Sequence, residues 1–113
     1  MFKREHLDMV LKIKADFLGA LANPVRLAII EELRGGESSV GRMAERLQVE
    51  QSSLSKHLAI LRRAGIVVSR KRKSAVLYSI RDREIFRVLR PIAQILRKRM
   101  EESRMIFARL GRP

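Results

Sequence analysis

The stretch Glu50–Gly65, EQSSLSKHLAILRRAG, most narrowly limits what this chain can fold into. Leu54, Leu58 and Leu61 recur at i, i+4 and i+7, which is one stripe of an α-helix. The opposite side carries Gln51, Ser52, Ser53, Ser55, Lys56 and Arg62, short hydrogen-bonding side chains and cations with almost no acid. A helix that buries one edge and offers amides, hydroxyls and positive charge on the other suits a DNA major groove, where base edges present donors and acceptors. An ordinary solvated face would look the same, so the flanking sequence has to decide.

Upstream, Ser38–Ser39 can cap a short helix from Val40 to about Leu47, with Val40, Met43, Ala44 and Leu47 facing inward. Only Gln48 to Glu50 separate it from the next helix. Two helices joined so tightly, with the apolar Val49 in the turn, match a helix-turn-helix. Glu50 holds the capping position, with Ser52 and Ser53 just inside, which leaves the first helical residue open within a turn. Downstream, Gly65 reads as a stop. The runs Ile66–Ser69 and Ala75–Ile80 then switch to β-branched and aromatic residues. Between them Arg70-Lys71-Arg72-Lys73-Ser74 reads as a turn with four consecutive cations. A bland solubilising loop is one reading; a basic hairpin directly behind a helix-turn-helix is a wing.

The flanks are helical. From Glu5 to about Ala20, Leu7, Val10, Leu11, Phe17, Leu18 and Leu21 form a stripe that Met9 and Ile13 widen. A helix apolar over more than one face has two neighbours, often one of them a second subunit. Asn23 can cap the next helix, with Pro24 at its first position. It runs through Val25, Leu27, Ile30 and Leu33 to Gly35–Gly36. Asp82 can cap a last helix from about Arg83 to Leu110, in which Ile85, Leu89, Ile92 and Leu96 step as a helix–helix seam. Ile95, Met100, Ile106, Phe107 and Leu110 extend its apolar surface, and Pro91 should kink the helix or divide it. The chain has too little left to cover so long a helix, which predicts a homodimer. Gly111–Pro113 reads as a frayed tail.

Bulk properties agree. A net charge of +13 and a pI near 11.5 favour a polyanionic partner, nucleic acid first. The length of 113 residues fits one domain, and 46% hydrophobic with 4% aromatic residues implies an aliphatic core. The absence of cysteine excludes disulfides and thiol chemistry. Apolar runs such as Leu27–Ile30 are too short to span a bilayer, so no membrane partner is expected. MFKREHLDMV lacks a signal-peptide h-region, and a cytoplasmic protein is expected.

Catalysis is not expected. Ser52, Ser53, Ser55 and His57 share one exposed helix, which cannot assemble a water-excluding site. His57 has no nearby ligand partner and is expected to donate to a phosphate or base edge; His6 is expected to be solvated. Met100 and Met105 lie five positions apart and share no helix face, so with Met9 and Met43 they read as packing rather than a soft-metal site. No metal and no cofactor are expected.

The segments ALANPVRLAIIEEL (20–33) and SSVGRMAERLQVEQSSLSKHLAILRRAGIVVSRKRKSAVLYSI (38–80), the latter containing S-x-H-L-x-x-L-x-x-A-G-I-V, resemble the ArsR/SmtB family of dimeric transcriptional repressors. The resemblance runs roughly from Leu18 to Ile80. It implies a mainly α fold with a small β-hairpin wing, a winged helix-turn-helix in the order α-α-α-α-β-β-α. It implies a single domain over 1–113: dimerisation helices at 1–22 and 82–110, the helix-turn-helix at 38–65 and the wing at 66–80. The homodimer would repress transcription from an inverted-repeat operator in double-stranded DNA. Carried over by position, Ser53, Ser55, Lys56 and His57 meet the groove, with Gln51 and Ser52 beside them as base readers. Lys56, Arg62 and Arg63 would hold phosphates, while Arg70, Lys71, Arg72 and Lys73 at the wing tip would follow the backbone or the adjacent minor groove. Arg26, in N-P-V-R-L, has either a structural or a phosphate-facing role.

The chain departs from the family in its sensing sites. Where many members carry C-x-C, it has Ser38-Ser39-Val40-Gly41, and no histidine lies between Asp82 and Pro113. Neither familiar kind of metal sensing is expected, and the sequence names no effector. Two rival readings are a non-specific, chromatin-like DNA coat, motivated by Arg97, Lys98, Arg99, Arg104, Arg109 and Arg112, and a protein-interaction module that has lost DNA binding.

Overall fold

A computed structural model describes residues 3–111, so Arg112 and Pro113 of the expected tail lie outside the described residues. Five helices and three strands follow one another: α1 (Arg4–Leu21), α2 (Pro24–Glu32), β1 (Ser38–Ser39), α3 (Val40–Leu47), α4 (Gln51–Arg63), β2 (Val67–Arg72), β3 (Ala75–Ile80) and α5 (Glu84–Leu110). They fall into two compact units whose boundary in sequence lies between Asp82 and Arg83.

In the first unit, Asn23 starts α2 as expected. Its Oδ1 accepts the backbone N–H groups of Val25 at 2.9 Å and Arg26 at 3.1 Å, satisfying donors that a helix start leaves unpaired. The helix tightens into a 3-10 turn at Leu33–Gly35 and ends at Gly36, whose φ of 128° is open to glycine and strained for other residues. The core is aliphatic: Ile29, Ile30, Leu33, Met43, Leu54, Leu58, Leu61 and Val67 are completely buried. One inward position differs from the sequence reading. Because α2 packs against both α3 and α4, its buried arc is Ile29–Ile30–Leu33, and Leu27 is 41% exposed.

The sheet has one strand more than the expected hairpin. β1 pairs antiparallel with β3 (Ser38↔Tyr78, Ser39↔Leu77), giving the strand order β1-β3-β2. Ser39 also caps α3, its Oγ accepting the Arg42 N–H at 3.2 Å. The hairpin boundary moves too. Arg70, Lys71 and Arg72 belong to β2 rather than to the turn, because the ladder continues to Arg72↔Ala75 and leaves a two-residue loop, Lys73–Ser74. Lys73 makes that reversal in the left-handed region (φ 56°).

The second unit is one helix. α5 begins at Glu84 with Arg83 in the N-cap position and no side-chain cap, in place of the expected Asp82. Pro91 lies inside a continuous helix, so the helix is not divided. The Arg83 guanidinium stacks over the Phe86 ring at 5.1 Å. Large apolar side chains are exposed along it, among them Ile92, Ile95, Leu96, Met100, Ile106, Phe107 and Leu110. α1 likewise exposes Leu7, Met9, Val10, Leu11, Ile13 and Leu18. Among the described residues no helix is long and apolar enough to cross a membrane.

Candidate nucleic-acid interface

The α3–α4 corner is held locally. Gln48 ends α3 in the left-handed region (φ 55°), and its Nε2 donates to the Glu45 carbonyl at 3.0 Å. The Val49 N–H donates to the Ala44 carbonyl at 3.1 Å, closing the turn around a half-buried side chain. Burying Leu54, Leu58 and Leu61 completely then fixes the rotation of α4 about its axis. Gln51, Ser52, Ser55 and Lys56 are consequently exposed, while Ser53 and His57 sit half-buried at the margin. Glu50 is the N-cap residue without capping the backbone by its side chain; its Oε1 instead accepts the Ser52 hydroxyl at 3.1 Å.

His57 has a partner within the chain that the sequence reading did not include: its Nδ1 lies 3.2 Å from Arg26 Nη1. A guanidinium can only donate, so Nδ1 accepts and the ring proton is assigned to Nε2. Arg26 also donates from Nε to the Ala20 carbonyl at 2.6 Å and from Nη2 to the Gly19 carbonyl at 3.2 Å. These carbonyls belong to the last turn of α1, where the helical ladder runs out of donors; Gly19 also accepts the Ala22 N–H at 3.2 Å. Of the two roles left open for Arg26, the structure supports the structural one: it ties the end of α1 to α4.

The remaining cations divide into held and unheld. Arg62, at the end of α4, donates from Nη1 to Ser69 Oγ on β2 at 3.2 Å and so bridges helix and wing. Beside this bridge, Ala59, Arg62, Arg63 and Tyr78 line an open cleft of about 260 Å³. Arg70 is held by a residue that the sequence reading missed. Its Nε donates to Glu37 Oε2 at 2.8 Å and its Nη2 to Glu37 Oε1 at 2.5 Å, a two-pronged ion pair. Those hydrogen bonds hold the Glu37 carboxyl below the usual carboxylate range, against the opposing effect of desolvation, and the charges of Arg70 and Arg72 lower it further. Lys56, Arg63, Lys71, Arg72 and Lys73 are exposed and make no side-chain hydrogen bond or ion pair among the described residues.

The result is a surface with amide and hydroxyl groups on α4 and a basic two-stranded ribbon beside it. Such a surface presents donors, acceptors and positive charge to a grooved polyanion. Among the described residues no group of three or more His, Cys, Asp or Glu side chains could hold a metal ion.

Comparison with known proteins agrees with this geometry. A helix-turn-helix domain family matches residues 21–70. The chain is 38% identical over 86 residues to the HTH-type transcriptional regulator Rv0081 of Mycobacterium tuberculosis, covering 75% of each chain. The crystal structure of Rv0081 superposes with a TM-score of 0.75 at 35% identity, over 83% of this chain and 95% of that one. The HTH-type transcriptional repressor SmtB of M. tuberculosis is 35% identical over 80 residues, or 71% of this chain and 59% of that one. The solution structure of Mb0332 from Mycobacterium bovis, a homodimeric winged helix-turn-helix DNA-binding domain described as a possible ArsR-family regulator, shares the fold. Its TM-score is 0.78 at 24% identity, over 88% of this chain and 93% of that one. The chain belongs to the ArsR/SmtB family of winged helix-turn-helix transcriptional regulators.

Proposed function

We propose that this regulator is a homodimeric, sequence-specific repressor that binds an inverted-repeat operator in double-stranded DNA and acts in the cytoplasm. The observation that carries the reading is the complete burial of Leu54, Leu58 and Leu61, which leaves Gln51, Ser52, Ser55 and Lys56 outward beside a basic wing. Gln51, Ser52, Ser53 and Ser55 would read base edges. Lys56, Arg62, Arg63 and the wing residues Lys71, Arg72 and Lys73 would hold the backbone on either side. Serines make few bidentate contacts, so part of the specificity would come from DNA shape and deformability. Arg70, bound to Glu37, and His57, turned to Arg26, would support the interface rather than grip DNA.

Dimerisation follows from what α1 and α5 leave uncovered. Each helix exposes a run of large aliphatic side chains, more than a stable monomer ordinarily leaves in water. A second copy covering them would make one domain of 1–113 with dimerisation helices at its two ends; the Mb0332 domain is likewise homodimeric. Two-fold symmetry would then present two copies of α4 to half-sites about one helical turn (~34 Å) apart. Repression is the activity named for the SmtB relative. A gel shift with the DNA upstream of the protein's own coding sequence tests the reading. A complex that survives excess random duplex supports it, and loss of the complex to that competitor contradicts it.

A further inference from the structure

Glu37 occupies an unexpected place in a DNA-binding surface. It stands between the sharp turn at Gly36 and the start of β1, and β1 lies across β3 from the wing strand β2. The register aligns Ser39, Leu77 and Arg70 in one row across the sheet, so their side chains share a face. Arg72, two residues on, shares that face with Arg70, and its charge also acts on the Glu37 carboxyl. A single carboxylate is therefore paired with one of the four cations of Arg70–Lys73 and lies within the field of a second. It occupies both prongs of the Arg70 fork, the geometry with which a guanidinium otherwise takes two phosphate oxygens. Stability alone is a weak reason for such a pair. The Arg70 side chain is 56% exposed, and exposed ion pairs contribute little to folding. Its effect on an approaching polyanion is larger, because an unpaired Arg70 would add a phosphate contact and a bare Glu37 would repel one.

We propose that Glu37 attenuates sequence-independent DNA binding by the wing: it takes the place of a phosphate on Arg70, so the wing grips the backbone through Lys71, Arg72 and Lys73 and not through Arg70. The proposal rests on the DNA-binding reading above and deepens it. Weak backbone affinity limits the time a regulator spends on the vast excess of non-operator sites, while base reading by α4 is left unchanged. Glu37 acts through Arg70 and is therefore a positioning residue.

The test measures the salt dependence of binding to a 30-bp random-sequence duplex and to the operator, using the full chain. Glu37→Gln keeps the side chain's shape and removes its charge. Freeing Arg70 for one more phosphate steepens the slope of log K against log salt by about 0.9 per protomer, or about 1.8 per dimer. The affinity ratio of variant to wild type then falls roughly 12-fold between about 50 and 200 mM salt, by the same amount on both duplexes. The double variant Glu37→Gln/Arg70→Gln removes a pair that is already neutral and keeps the wild-type slope. The proposal is overturned if Glu37→Gln leaves the slope unchanged, or if the double variant flattens it, since Arg70 would then be a phosphate ligand in the native protein. Failure of the wild-type protein to bind either duplex would sink the DNA-binding reading itself, and the proposal with it.

Discussion

Replacing Lys71 and Arg72 by glutamine removes two wing cations that make no ion pair among the described residues, on strand positions that face solvent. Neither side chain is buried, so the fold should survive and the effect should fall on DNA. Each phosphate contact contributes about 0.9 to the slope of log K against log salt, so two contacts per protomer and two protomers give a flattening of about 3.6. Between about 50 and 200 mM salt the variant should then lose roughly 150-fold less affinity than the wild type. Fluorescence anisotropy across that salt range measures the slope directly. The same loss should appear on operator and random duplex, because backbone contacts carry no sequence information. An unchanged slope would remove the wing from the mechanism, and a loss confined to the operator would mean that these residues read bases.

Other expectations follow from individual contacts. Gln51→Ala or Ser55→Ala should relax the preference among operator variants, up to about 1–3 kcal/mol where a bidentate base contact is lost, with little change on random DNA; competition binding against a panel of mismatched sites checks this. Arg26→Ala removes the side-chain donor to the Ala20 carbonyl and to His57 Nδ1, while the Gly19 carbonyl keeps the Ala22 N–H, and should cost about 1–3 kcal/mol in urea unfolding while weakening operator binding through a misplaced α4. Glu31, hydrogen-bonded by Arg34, and Glu37, hydrogen-bonded by Arg70, both have carboxyls held below the usual range. Groups lowered in the folded state contribute stability that is present above about pH 4.3, the unfolded value, and is lost as pH falls through the native value. Glu31→Gln/Glu37→Gln should therefore flatten the acid limb of a melting-temperature profile below about pH 5, and an unaltered limb would show that neither pair matters to folding.

The helix-turn-helix was legible because its signal is local and periodic. Leu54, Leu58 and Leu61 mark the buried stripe, and Asn23–Pro24 and Gly65 mark ends by backbone chemistry alone. β1 escaped notice since two serines cannot show an alternation, and their pairing with Leu77 and Tyr78 is fixed only once the sheet forms. The cations of Arg70–Arg72 looked like a turn because a solvent-facing ribbon carries no apolar alternation to reveal that it is a strand. Leu27 and Ile29 are equally apolar, and only the packing of α2 against both α3 and α4 chooses between them. The contacts that most change the reading of the interface are the least local. Arg70 meets a carboxylate 33 positions away, and His57 meets a guanidinium 31 positions away. The sequence supplied the candidate residues; the fold decided which of them are already engaged.

The central claim is that α4 reads a two-fold operator from the surface opposite Leu54, Leu58 and Leu61. Footprinting the purified protein on its own upstream region tests it most directly. The account predicts discrete protection over two half-sites centred about one helical turn apart. Gln51→Ala/Ser55→Ala should erase those footprints while random-duplex affinity stays the same. Uniform coverage of the fragment, or footprints that the double variant leaves intact, would contradict it.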